Sequence, residues 1–195
     1  MNIKALAILA VTAVTAVSFQ SCSGSQKEQK ADETAQVKSD ILEVDSLLAN
    51  AENLVDKKVK VEAVCTHICK HAGRKIFLMG SDDKNTIRVE ACEIGSFPAE
   101  CVNSIVYVEG VLREDRIDEA YLQNWEAQLK AAGEQHGNNG QAGCNTEKNA
   151  RQETADTPEG RIEDFRQRIA ERKAKTGKDY LSFYHIDAEK YEIKQ

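Results

Sequence analysis

The sequence predicts a mainly β fold, a small five-stranded barrel with flanking helices, followed by a C-terminal helix and short extended segments. Three observations carry that prediction. Val59, Val61 and Ala63 alternate with Lys60 and Glu62, and Ile87, Val89 and Ala91 alternate with Arg88 and Glu90, the period-two pattern of strands buried on one face. The charged turn from Ser81 to Asn85 sits between two such runs and reads as a hairpin. Apolar residues take helical spacing on either side of the strand region, at Leu47, Leu48, Ala51 and Leu54 and at Tyr121, Leu122, Trp125 and Leu129.

In chain order, Asp45 to Leu54 is expected as a short helix with Asp45 as its cap. A strand follows from Val59 into the segment Cys65 to His71 and stops near Ala72 and Gly73. Lys75 to Gly80, Thr86 to Cys92 and Ile105 to Arg113 are the next strands, the last two separated by a mixed connection containing Gly95 and Pro98. A short strand near Arg116 and Ile117 precedes a helix from Glu119 to Ala132, with Trp125 expected against the sheet. Gly133, Gly137, Gly140 and Gly143 mark a flexible linker. Beyond it, Pro158 and Gly177 bracket a charged helix whose apolar stripe is Ile162, Phe165 and Ile169. Tyr180 to Ile186 and Tyr191 to Ile193 read as extended pieces. This tail is too small to form a core alone, so it either docks on the main domain, adding strand pairing, or contacts a partner.

The organisation expected is a signal peptide over 1–21, a lipidated tether over 22–39, a barrel domain over 40–132, a linker over 133–149 and a tail over 150–195. Lys4, the apolar run Ala5 to Val17 and the polar stretch before Cys22 make a secretory signal, and the apolar run is shorter than the roughly 20 residues a membrane span needs. Cys22 directly after a small residue resembles the processing site of bacterial lipoproteins, which implies an acylated Cys22 and a cell-envelope location, at the periplasmic face of an outer membrane. A secreted chain cleaved nearby is the alternative. Ser23 to Ser39 has almost no large apolar residue and cannot offset the entropy of ordering.

The formal net charge of the 195 residues is −6, and residues 40–132 alone carry 11 basic against 17 acidic residues. No basic run is present, which disfavours nucleic acid as a partner, because affinity for phosphate backbones comes from clustered Lys and Arg. Gly-rich phosphate loops, serine elbows and metalloprotease helices are absent from the sequence.

The densest chemistry lies at Cys65, His67, Cys69 and His71, where every second residue carries a sulfur or an imidazole. On a strand these share one face. Four ligands over that length span roughly 20 Å at about 3.3 Å per residue, too far for a single ion. His67, Cys69 and His71, joined by Cys92 with Cys101 as the alternative, form the candidate metal set, with zinc or copper as its cation. Cys65, Cys69 and Cys92 form the candidate redox set, and Lys70 beside Cys69 would favour a thiolate. Six cysteines, less Cys22, leave five, so at most two disulfides can form. Parity with Val59, Val61 and Ala63 would turn all four groups inward, so either a bulge switches faces or the strand end opens at the barrel mouth. Arg113, Arg116 and Tyr121 and the acids Glu109, Glu114, Asp115, Asp118 and Glu119 are expected as surface ion pairs and helix-start charges.

The element order is that of a small barrel of the oligonucleotide/oligosaccharide-binding (OB) type. The runs VKVEAVCTHICKHAGRKIFLMG, TIRVEA and VYVEGVLREDRIDEAYLQNWE resemble an exported bacterial OB-fold lipoprotein family described as tRNA-anti-like, in which a His-Val/Ile-Cys-Lys-His stretch ends the first long strand. The resemblance covers about residues 45–130 and implies fold and location rather than ligand. The functional expectation is a non-enzymatic module that binds a metal ion or small ligand at a Cys/His-lined barrel mouth. A thiol-disulfide redox factor and an envelope adaptor that recruits a protein partner through the C-terminal helix are the alternatives.

Overall fold

The computed structural model of the protein describes residues 40–70, 72–136 and 145–194. The expected signal, Cys22, the tether, His71 and Cys144 lie outside the described residues. Six strands form one sheet, and a few helices flank it. The strands are β1 (Ile41–Leu42), β2 (Lys58–Ile68), β3 (Lys75–Met79), β4 (Thr86–Glu90), β5 (Ile105–Ile117) and β6 (Leu181–Lys194). The helices are α1 (Val44–Ala49), α2 (Ala51–Leu54), α3 (Glu119–His136), α4 (Asn145–Ala150) and α5 (Pro158–Thr176).

Neighbouring strands run β2-β3-β4-β6-β5, and β5 pairs back onto β2, so five strands make a ring. All pairings within it are antiparallel except β4 with β6. β1 adds to β2 from outside the ring, in parallel. The hairpin is present: Gly80 N donates to Asn85 O, and Asp82 Oδ1 accepts from the amides of Lys84 and Asn85, a side chain mimicking a backbone turn. Asp45 does not cap α1. Its carboxylate accepts from Ser81 N at 2.7 Å and Ser81 Oγ at 2.8 Å, tying the helix to the hairpin.

The fifth ring strand is the tail. The short strand expected at Arg116 and Ile117 is the far end of β5, and the two extended pieces of the tail are one strand, β6. It pairs with β5 from Ile117↔Leu181 to Ile105↔Lys194 and with β4 from Arg88↔His185 to Glu90↔Asp187. The boundary drawn at residue 132 therefore cuts through one sheet.

Two apolar clusters hold the molecule. Inside the ring, Val61, Cys65, Ile76, Leu78, Ile87, Val89, Val108, Leu112 and Ile186 are buried together with Val44 and Leu47 of α1. Outside it, Ile162, Phe165 and Ile169 of α5 pack with Leu122, Ile117 and Leu181. The stripe read from the sequence is thus consumed within the chain. Trp125, on α3, joins this second cluster, its ring 6.5 Å from that of Phe165 on α5. α5 starts at Thr157, whose hydroxyl accepts from Gly160 N, and ends at left-handed Gly177. Among the described residues no helix is long and apolar enough to cross a membrane.

The β5–β6 register shifts between Glu109 and Gly110. There a Cβ on residue 110 would fall 2.2 Å from the Asp187 carbonyl oxygen, so only glycine lets β6 approach. Gly110→Ala is expected to lower unfolding free energy by about 3 kcal/mol, the upper range for forcing a methyl into a packed site, measured as a lower urea midpoint.

Candidate functional site

A bulge decides where the Cys/His segment points. Between Cys65 and His67 the β2–β3 register slips, so Cys65 pairs with Leu78 and His67 with Phe77, leaving Thr66 as the extra, exposed residue. Cys65 stays in the ring interior, and Ile68 beyond the bulge packs against the same core. His67 is thereby turned to the outer face with Phe77, its ring centroid 5.8 Å away. Of the two outcomes the parity argument allowed, the bulge is the one that occurs.

Register then sets His67 in a row that crosses the ring: His67↔Phe77, Phe77↔Arg88, Arg88↔His185 and His185↔Arg113. Arg88 is 9% exposed, the one polar or charged residue that is buried among those described. Its guanidinium contacts three carboxylates: Asp115 Oδ2 at 2.7 Å, Glu147 Oε1 at 2.9 Å and Glu90 Oε1 at 3.1 Å. Lys75 and Arg151 join the same acids at 3.4–3.8 Å. His185 bridges the far side, with Nδ1 3.4 Å from Asp115 and Nε2 3.4 Å from Asp187. His185 first, and Arg88 after it, hold the Asp115 carboxyl well below the usual carboxylate range against the opposing effect of burial.

Glu147 lies on α4, a helix without a buried side chain in a stretch read as linker. Ion pairing, not apolar packing, seats it on β4. Beside it opens a cleft of about 260 Å³, whose floor is Phe77 and Arg88 and whose walls include Arg151, Arg168, Phe183 and Tyr184. Arg151 and Arg168 stand over the Phe183 ring at 5.4 and 5.9 Å. With Lys84 the lining holds four cationic side chains against one carboxylate, Glu147, in a protein whose net charge is −6. Sequence reasoning missed this place. Arg88 reads as an ordinary outward residue of an alternating strand, and nothing local signals that residues 145–152 return to cover it.

The structure parts the described members of the sequence-derived sets. Among the described residues no three His, Cys, Asp or Glu side chains converge on a cation position, and His71 lies outside them. Cys92, assigned to both sets, instead donates to Asp187 Oδ1 at 3.3 Å, and burial together with that carboxylate pushes its thiol up to about 11. Cys65 is separated from half-exposed Cys69 by the bulge and is itself made less acidic by burial. Raised thiols are the reverse of what a redox nucleophile needs. The neighbour that the structure gives Cys65 is Cys101, which the redox set did not include: both are 0% exposed in one core. The expected ion pairs are present, with Arg113 on Asp56 and Asp187 and Arg116 on Glu114.

Because the Asp115 carboxyl is more acidic folded than unfolded, the unfolded chain takes up its proton first as pH falls. Its contribution to stability is complete above the ordinary aspartate value of about 4 and is lost below it. Asp115→Asn is therefore expected to be less stable than the parent at pH 7 and to lose less on acidification from pH 5 to pH 3, measured by urea unfolding across that range.

The chain matches no protein-family model, and no curated protein and no solved structure is significantly similar to it.

Proposed function

We propose that this protein is a non-enzymatic, OB-type binding module that takes a small anionic ligand in the cleft over β3 and β4, carried on an exported, lipid-anchored chain. The observation that carries the reading is the cleft lining: Lys84, Arg88, Arg151 and Arg168 beside the rings of Phe77, Phe183 and Tyr184, opposed by Glu147 alone. A guanidinium next to an aromatic face suits a ring-bearing anion such as an acidic sugar or a nucleotide, because the fork binds carboxylate or phosphate while the ring stacks.

The ring supports the OB-type reading. Its five strands, with the last inserted between the third and fourth, make a Greek-key closure. In OB barrels the face of the second and third strands and the long connection before the last strand hold ligands. β3 and β4 are those strands here, and residues 145–152 belong to that connection. The volume suits one ring and its charged group rather than a polymer. Export and anchoring rest on the signal-like segment and on Cys22, together with the resemblance of residues 45–130 to envelope lipoproteins. An anchor would hold the cleft near the membrane and raise its encounter rate with envelope partners.

Calorimetric titration with a uronic-acid monosaccharide, a nucleoside monophosphate and inorganic phosphate tests the site. Saturable binding of at least one of them, weakened about tenfold or more in Arg151→Ala or Arg168→Ala, is expected, the loss of a charge-assisted hydrogen bond. Absence of saturable binding by all three rejects the anionic ligand. Separately, the protein should partition with membranes in its native host, and Cys22→Ser should release it; unchanged partitioning rejects acylation at Cys22.

A further inference from the structure

Two cysteines of the ring interior have no part in the proposed binding. Cys65 sits on β2 where the strand bulges, and Cys101 ends a one-turn 3₁₀ helix, Ala99–Cys101, just ahead of β5. The backbone clamps these two places together. Cys65 N donates to Ser104 O at 2.9 Å, Asn103 N donates to Cys65 O at 2.7 Å, and the turn that contains them closes through Ser104 N to Cys101 O at 3.1 Å. Both side chains are 0% exposed and belong to the same apolar cluster. The two thiols are near enough to influence each other electrostatically: a charge on Cys65 opposes one on Cys101, whose thiol burial pushes up to about 11.

A disulfide requires Cα atoms within about 7 Å, and two free thiols buried in one core on hydrogen-bonded segments are placed to approach that separation. We propose that Cys65 and Cys101 form an internal disulfide that locks the start of β5 to the bulge of β2. The bond would close residues 65–101 into one loop, which holds β3, β4 and the connection after them, and would thereby restrict the unfolded chain. In the folded molecule both sulfurs are shut away from any oxidant and are poorly ionised, so bond formation belongs to folding. One thiolate attacks an external disulfide, releasing the first thiol of that reagent. The second cysteine thiolate then attacks the mixed disulfide and releases the other. Two cysteine thiols are oxidised, the reagent disulfide is reduced to two thiols, and the cysteine protons end on them. An oxidised small-molecule disulfide or a disulfide-donating oxidoreductase supplies the chemistry, and an exported chain would meet the latter.

With Cys65 and Cys101 joined, Cys92 stays with Asp187 at the outer surface, where its carboxylate neighbour discourages the thiolate. The bulge keeps Cys69 from competing, because Cys65 faces the interior and the strand has switched faces before residue 69.

The test is refolding of the full chain, unfolded and reduced, in mixtures of reduced and oxidised glutathione, followed by an alkylating quench and non-reducing digestion. Cleavage after Glu93 separates Cys92 from Cys101, and fragmentation within Val61–Lys70 assigns the sulfur to Cys65 or Cys69. A Cys65–Cys101 link that persists where reduced glutathione dominates is expected. The linked form should melt on the order of 10 °C above the same chain kept reduced, a difference that Cys101→Ala abolishes. Alkylation of both thiols at every ratio overturns the proposal, as does a link from Cys65 to any other cysteine or equal melting of the two forms. Because the assay uses purified chain, its outcome is independent of export and of the ligand titrations.

Discussion

The pairing of β6 with β4 on one side and β5 on the other is the constraint on which the rest of this structure depends. Without it both strands would present unpaired backbone groups, and the ring interior would open along its length. The strand comes last along the chain, entering at Leu181 long after β5 has ended at Ile117. Loop-closure cost grows only slowly with length, so the insertion between β5 and β6 is tolerated. That insertion also contributes to its own return. Ile162, Phe165 and Ile169 fasten α5 to α3 and to the shared end of β5 and β6, so the second apolar cluster sets the position from which Leu181 enters the sheet.

Electrostatics then does what apolar packing does not. α4 offers no buried side chain, and its place on β4 comes from Glu147 reaching Arg88, Lys75 and Arg151. Desolvating a guanidinium is costly, and three carboxylates around Arg88 offset rather than exceed that cost, so the network specifies position more than it adds stability. A wall held by ion pairs is easier to open than one held by a core. The ring supplies a rigid floor at Phe77 and Arg88, and the insertion supplies a side that can yield to an incoming group. An anion entering the cleft would compete for the guanidiniums of Arg151 and Arg168, which their acidic neighbours engage at 3.3–3.8 Å, rather than for the tightly committed Arg88.

Much of the ring was legible in the residues. Period-two alternation located β2 and β4, the Ser81–Asn85 turn located the hairpin, and Pro158 with Gly177 bounded α5. Two things were not. The tail strand carries Asp187, Glu189, Lys190, Glu192 and Lys194 among its apolar residues, and no local pattern tells a strand completing a ring from one at an edge. That property belongs to the partners, not the strand. The cleft was hidden for a related reason. Its components sit on β3, β4, α4, α5 and β6, so no spacing along the chain connects them, whereas the Cys/His segment is conspicuous because its residues are contiguous.

Contiguity misleads at Thr66. A strict strand would send Cys65, His67 and Cys69 to one face, and every joint role imagined for them assumes that geometry. One extra residue divides them: the sulfur before the bulge joins the interior beside Cys101, and the imidazole after it joins the outer row of Phe77, Arg88, His185 and Arg113. The bulge therefore separates two chemistries that the sequence writes as one. Inside, the proposed oxidation of neighbouring thiols would strengthen the ring without touching the cleft. Outside, His67 Nε2 is buried with no hydrogen-bond partner among the described residues, next to the Phe77 ring that floors the cleft. A buried nitrogen left without a partner costs free energy. It costs least where a water or another polar group beside that ring can satisfy it, so the histidine of the conspicuous segment ends beside the Phe77 ring instead of at the centre of a site of its own.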